Sequence, residues 1–396
     1  MAVDREVWIT GIGLLSSLGE GPEIHRKRLY DGDVPVVDTK SFPPYVVHPL
    51  AKVDLDRQIP KKGDQRQMET WQRIGTYAAG LALTDAGAVG NAELLKKMDM
   101  IVAAGGGERD SAVDLALLNE LRGSNDPDVI LNDGLMRNLR PTLFLAQLSN
   151  LLAGNISIVH GVVGSSRTFM GEESAGISTL QVAQARLAAG QSEIMLVGSA
   201  YNAERLDLLL YHSLEGLCLK DEFIPVFAPE RPTGIAWASI GAFLVLESRI
   251  HAEARGAHPA ARLGPIYPSR ARREPGGVEA AVSGLLNQAM GNLDPAYAAI
   301  RSAATGAEPA TGEECRALLK NGLPVRSVTS RLGHGVEASF PAAVAIAALA
   351  VKEGRLFPPM PNVPIEDKVI PSLRHAIVTS VGHWRGEGAA LVEAVR

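Results

Sequence analysis

The sequence predicts an α/β fold, and three observations carry that prediction. Short apolar runs rich in β-branched residues alternate with longer segments whose apolar residues recur every three to four positions. Glycine-containing turns follow several of the short runs. At 396 residues with 46% hydrophobic side chains, the chain is large enough to bury one extensive core or two packed halves. Strand and helix in alternation call for a parallel or mixed sheet covered by helices on both faces.

Val7–Gly13 (VWITGIG) is a buried strand that ends in a glycine turn. Gly11 and Gly13 do not make a dinucleotide fingerprint, because Ser16 stands where a third glycine is required. Asp31 to Pro60 is a polar, proline-rich excursion. Met68, Trp71, Ile74, Ala78 and Leu81 then mark an amphipathic helix within Arg66–Ala86. Met98–Ala104 is a second buried strand, with Gly105, Gly106 and Gly107 directly after it. Helical spacing follows over Asp110–Leu121, Asp128–Leu139 and Thr142–Leu152, and Ile156–Val159 is a strand.

Ile177, Leu180, Ala183 and Leu187 define a buried helix that starts near Glu172–Ala175 and leads to the strand Glu193–Gly198. Ala236–Glu247 is strand-like. His251–Pro259 is the seam between an N-terminal half, residues 1–250, and a C-terminal half, residues 258–396. The second half places strands at Ala261–Ile266, Ala298–Ser302, Val325–Thr329, Ala376–Ser380 and Ala389–Val395. Its helices fall at Val278–Met290 and Glu313–Leu319, and a buried one over Val336–Val351 opens with Gly333-His334. Both halves thus contain a strand, a glycine turn and an alanine-rich apolar helix.

The net charge of −5 and the scattered basic residues argue against a nucleic-acid surface. The basic clusters at residues 25–28 and 270–273 are solvated faces or a contact for an acidic carrier protein. No run approaches the ~18 apolar residues that cross a bilayer, and the N-terminus enters a strand without a leader pattern, so a cytoplasmic protein away from membranes is expected. Cys218 and Cys315 are too few for a disulfide framework or a metal cage. Glu313 and Glu314 disfavour a thiolate at Cys315. No motif demands a metal or a diffusible cofactor.

Three segments could converge on a site: the helix start at Glu172-Glu173, the helix start at His334, and the turn Gly382-His383-Trp384-Arg385-Gly386-Glu387-Gly388. A helix start offers unpaired N–H groups and a positive dipole end to negative charge, and here it also carries two carboxylates.

The order of these segments resembles that of the β-ketoacyl-acyl-carrier-protein synthases of the thiolase-like superfamily. VWITGIGLLSSLGEG is similar to the family's opening strand and turn, and RQMETWQRIGTYAAGLALTDAG to its first long helix. EIMLVGSA, IPVFAPERPTGIAWASIGAFLVLES, SVTSRLGHGVEA, LFPPMPN and SVGHWRGEGAALV are similar to further motifs in the same order. The resemblance implies a five-layered αβαβα sandwich of two similar halves, and a dimer formed through strands beside the nucleophile helix.

The departures from the family pattern are specific. Counting fourteen residues back from Gly190 to Gly176 puts Glu173 where the family's acyl-accepting cysteine belongs. The region Ser302–Pro309 lacks the first catalytic histidine, Thr329 stands at the lysine position, and Ala343 replaces a helix glutamate. His334 is the retained histidine. Gly382 and His383 occupy the oxyanion or gating loop, which has lost its Phe-Gly-Phe gate.

Glu173 can be held by N–H groups of the helix start, with Arg167 as a candidate ion-pair partner. These changes predict a chain-length-factor-like subunit of a ketosynthase in fatty acid or polyketide elongation. Its partners would be an acyl carrier protein and an intact ketosynthase, in a heterodimer with a homodimer as the alternative. A residual malonyl- or acyl-thioester decarboxylase or hydrolase using His334 with Glu173 or His383 is the second expectation. Condensation through another nucleophile such as Ser174 is the third.

Overall fold

The computed structural model describes residues 5–139, 143 and 147–395. In chain order the strands are β1 (Val7–Ser16), β2 (Gly19–Glu20), β3 (Val47–His48), β4 (Asp99–Ala103), β5 (Ser166–Phe169), β6 (Ile194–Tyr201) and β7 (Trp237–Ala238). There follow β8 (Ile240–Ser248), β9 (Ala261–Ser269), β10 (Ala298–Ser302), β11 (Val325–Ser327), β12 (His375–Val381) and β13 (Glu387–Glu393). Ten of them form one path in the order β11-β10-β12-β13-β9-β1-β8-β6-β4-β5, with β2 paired to β1 and with β3 and β7 paired apart.

The path reads alike from either end. From each edge come two parallel pairings, β5-β4-β6 and β11-β10-β12, and then antiparallel ones. The halves meet where Val7–Ile9 of β1 pairs with Ala261–Leu263 of β9.

Side-chain alternation along these strands builds the layers, since neighbours on a strand face opposite ways. Ile101, Val197, Leu244, Val378 and Val392 face a central core that contains the buried sides of helices Glu172–Ala188 and Ser339–Glu353. Met100, Val102, Leu196 and Val245 face an outer core with helix Thr70–Asp85. Ile300, Ile377 and Ala389 face a third core with helices Gly277–Met290 and Ala310–Asn321. Three cores flanking two half-sheets give the five-layered αβαβα arrangement. The central helices approach closely because residue 176 is glycine: a Cβ there would lie 2.3 Å from the carbonyl oxygen of Glu337.

Several local expectations are corrected. Ile156–Val159 is not a strand but part of helix Leu151–His160, whose buried Leu152, Ala153 and Ile156 have helical spacing. The strand comes later, at β5, in a polar run with no strand-like hydrophobic pattern. Of the expected helix Thr142–Leu152, residues 142 and 144–146 lie outside the described residues, residues 147–150 are not helical, and the helix Leu151–His160 starts only at Leu151. The segment Val325–Thr329 stops being a strand at Ser327, and Thr329 opens a short helix, Thr329–Leu332. The basic cluster at residues 25–28 is not wholly solvated: His25 is buried, bonded to Ser16 Oγ and the Gly21 carbonyl.

Candidate functional site

The two central helices aim their N-terminal ends at one point, and the loop between β12 and β13 closes over it. Glu172 takes φ of +56° directly after Gly171 at +141°, a tight left-handed entry into helix Glu172–Ala188. That entry leaves Glu172 partly exposed and turns Glu173 inward, where it is 1% exposed. Non-glycine residues rarely adopt positive φ, so packing must hold this turn.

His334 lies one turn ahead of where the sequence places it. The helix proper starts at Ser339, after a 3-10 turn over Val336–Ala338, so His334 belongs to the approach. Its backbone is clamped by the β7 region: His334 N–H donates to Ala236 O at 2.9 Å, and Ala238 N–H donates to His334 O at 2.8 Å. The Ser339 hydroxyl accepts from Gly335 N–H at 2.9 Å and faces His334 Nδ1 at 3.1 Å. The charged carboxylate of Glu173 opposite Nε2 can only accept, so Nε2 carries the N–H and the Ser339 hydroxyl donates to Nδ1. His334 Nε2 in turn lies 2.9 Å from Glu173 Oε1.

His383 reaches the same oxygen, its Nδ1 2.8 Å from Glu173 Oε1. The loop can pass this close because residue 382 is glycine: a Cβ would sit 2.1 Å from Arg385 O and 3.1 Å from Glu173 Oε2. The Gly382 N–H donates to Gly386 O at 2.8 Å, so it is engaged within the turn and not free for an oxyanion. Arg385 of the same loop pairs with Glu172 at 3.3 Å.

One carboxylate is thus shared by two imidazoles. Burial works against its charge, but hydrogen bonds from His334 and His383 outweigh that and hold Glu173 well below the usual carboxylate range. Burial likewise opposes a charged His383, and the hydrogen bond and charge of Glu173 overcome it and raise that imidazole. The backbone N–H groups of the helix start are not the partners: Glu173 Oε2 has no hydrogen bond among the described residues. Arg167 is exposed on β5 and is no partner either. Thr329 is buried at the start of its short helix, away from the cavity wall described next.

Beside the triad lies a cavity of about 230 Å³, walled by His383, Trp384, Glu337, Tyr201, Trp71 and the backbone of Gly105–Gly107. Glu337 was not legible as a site residue. It is a lone acid inside an apolar run, three positions after His334, and burial pushes its carboxyl up to about 7. His212 closes one side, stacked on Trp237 at 4.1 Å, and burial lowers it to about 4. Among the described residues no group of His, Cys, Asp and Glu could hold a metal ion, and no helix is long and apolar enough to cross a membrane. Cys218 and Cys315 stand outside the cavity wall, and burial raises both thiols.

Comparison with known proteins agrees with this architecture. Residues 4–252 match the family model of the β-ketoacyl synthase N-terminal domain. The chain belongs to the β-ketoacyl synthase family. It is 25% identical over 267 residues to 3-oxoacyl-[acyl-carrier-protein] synthase 2 of Vibrio cholerae, covering 64% of this chain and 60% of that protein. It is 27% identical over 272 residues to the enzyme of the same name from Rhizobium meliloti, covering 64% and 61%. The aligned segment therefore spans about three fifths of these relatives.

Among solved structures, the ishigamide ketosynthase/chain length factor superposes with a TM-score of 0.80 at 21% identity, over 99% of this chain and 100% of that one. A β-ketoacyl synthase from Burkholderia phymatum also gives 0.80, at 18% identity and the same coverage. The ketosynthase of a type II polyketide system, solved with its acyl carrier protein and a hexaketide, gives 0.73 at 16% identity, again over 99% and 100%. The thiolase-like fold follows from these matches.

Proposed function

We propose that this β-ketoacyl synthase homologue does not condense acyl chains but serves as the chain-length-factor-like subunit of an active ketosynthase in fatty acid or polyketide elongation. The observation that carries this reading is Glu173. Glu173, which by its spacing to Gly176 and Gly190 we assign to the family's nucleophile position, is a carboxylate fixed between His334 and His383, and no thiol lines the cavity beside it. A carboxylate held in its charged form by two imidazoles cannot form the thioester that acyl transfer requires.

Further support comes from the surface. β5 is an edge of the sheet, beside helix Glu172–Ala188, and exposed Val163, Met170, Leu206, Leu210 and Leu214 are apolar. An open edge strand with exposed apolar side chains suits pairing with another subunit. A matched structure is itself a ketosynthase/chain length factor, and another is a ketosynthase in complex with an acyl carrier protein.

Decarboxylation and condensation through Ser174 fare less well. Glu172 on the cavity wall, joined by Glu337 above about pH 7, disfavours a malonyl carboxylate and outweighs Arg205, which is already paired with Asp207, and this argues against a decarboxylase. Ser174 Oγ donates to Gly171 O at 2.5 Å and faces Gly386, outside the cavity, which argues against its use as a nucleophile.

Co-expression with an intact ketosynthase and an acyl carrier protein encoded beside it tests the proposal. A stable 1:1 complex with the ketosynthase is expected, with product chain length changed when this subunit is omitted. A homodimer that ignores the ketosynthase refutes it.

A further inference from the structure

His383 uses Nδ1 to bond Glu173, and this leaves Nε2 without a hydrogen-bond partner among the described residues while the ring forms part of the cavity wall. The arrangement is that of a histidine base: a buried carboxylate fixes the ring and its Nδ1–H tautomer, and the opposite nitrogen is left free on a ring that lines the cavity. On the same cavity wall, the N–H groups of Gly105, Gly106 and Gly107 have no acceptor among the described residues, with the Glu337 carboxyl lying beside Gly105. Such unpaired backbone donors suit the oxygen of a polarised carbonyl. Trp71, Tyr201 and Trp384 supply apolar wall for an acyl chain.

We propose that this cavity is a hydrolytic site for uncharged acyl thioesters, with His383 as the base that activates water and Glu173 as its positioning residue. The substrate class rests on the reading that this chain handles carrier-bound acyl chains. His383 Nε2 takes a proton from water as the water oxygen bonds to the thioester carbonyl carbon. The tetrahedral intermediate then breaks its C–S bond, and the proton on His383 passes to the departing thiolate. The products are a carboxylic acid and a thiol, and no other reactant is needed. A malonyl group is a poor substrate because Glu172, and Glu337 above about pH 7, line the same space, while Arg205 on that wall is paired with Asp207.

Several charged or titratable groups surround His383. Glu173 and Glu172 come from the helix start, His334 and Glu337 from the turn before Ser339, His212 and Glu215 from helix Leu206–Leu214 and its end, and Arg385 from its own loop. The balance of these leaves His383 raised above its ordinary 6.5, so the free base, and with it the rate, grows as pH rises through that raised value.

The test uses the full-length protein with butanoyl- and malonyl-N-acetylcysteamine, following free thiol and product mass, with thermal melts to show that each variant is folded. Wild-type protein is expected to release thiol from the butanoyl probe faster than buffer, with an apparent pKa above 6.5 and slower turnover of the malonyl probe. His383→Gln should lower kcat by about 10²–10⁴-fold, the usual range for loss of a general base. Glu173→Gln should lower kcat more than it changes KM and move the apparent pKa down, because burial then acts on the ring without the opposing carboxylate. If His383→Gln does not fold, this pH profile decides.

A folded wild type with no thiol release beyond buffer overturns the proposal, as does a His383→Gln variant at the wild-type rate or decarboxylation of the malonyl probe as the faster reaction. Co-purification of the wild-type chain with a ketosynthase is scored separately. A complex without hydrolysis removes this inference alone, and hydrolysis without a complex removes the pairing reading alone.

Discussion

Replacing Glu173 tests the central arrangement most directly. The carboxylate is buried and accepts from His334 at 2.9 Å and His383 at 2.8 Å. Hydrogen bonds to a charged group contribute about 1.5–3 kcal/mol each, and removing one partner of a buried ionic cluster costs about 3–5 kcal/mol. Glu173→Ala should therefore lower unfolding stability by about 3–5 kcal/mol. Glu173→Gln keeps the shape and an acceptor oxygen but loses the charge, and should cost roughly half as much.

The pH dependence gives the sharper check. Glu173 is lowered from 4.5, so its contribution is present above that value and fades as pH falls below it. His383 is raised from 6.5, so its contribution is present below that value and is lost as pH rises through the raised one. The stability gap between wild type and Glu173→Gln, read from urea unfolding followed by circular dichroism, should peak between about pH 4.5 and 6.5 and narrow on both sides. A gap that is flat from about pH 4 to 9, or a loss below about 1 kcal/mol for Glu173→Ala, would refute the shared-carboxylate account.

Two other substitutions probe the surroundings. Gly176→Ala places a Cβ 2.3 Å from the Glu337 carbonyl oxygen, so the central helices must separate, at a cost of about 1–3 kcal/mol or more in thermal or urea unfolding. Glu337, raised from 4.5 to about 7, binds its proton more tightly when folded, so the wild type loses stability as pH rises across that interval. Glu337→Gln should remove on the order of 1–3 kcal/mol of this slope, and a pH–stability curve parallel to that of wild type would contradict the assignment.

Much of the fold was legible because burial leaves a period in the sequence. Strands such as Ala298–Ser302 and helices such as Gly277–Met290 stood out from their hydrophobic spacing alone. Where the period is short or polar the reading failed. Residues 156–159 are a short stretch that fits either structure, and β5 is an edge strand whose serine, arginine and threonine carry no burial signal. Val336–Ala338 was merged with the helix that follows it, because a 3-10 turn and an α-helix share an apolar run.

For the site, the linear order of motifs was enough to single out Glu173, His334 and His383, and the proposal that Glu173 stands at the family's cysteine position rests on that order. What sequence could not decide was which groups face one another, since hydrogen bonding between residues 161 and 210 positions apart depends on how the halves pack. Local reasoning offered the helix N–H groups and Arg167 as partners of the carboxylate. Tertiary structure chose the two histidines, because the Glu172 turn aims Glu173 away from its own helix end and Gly382 lets the last loop come close enough for His383 to reach it.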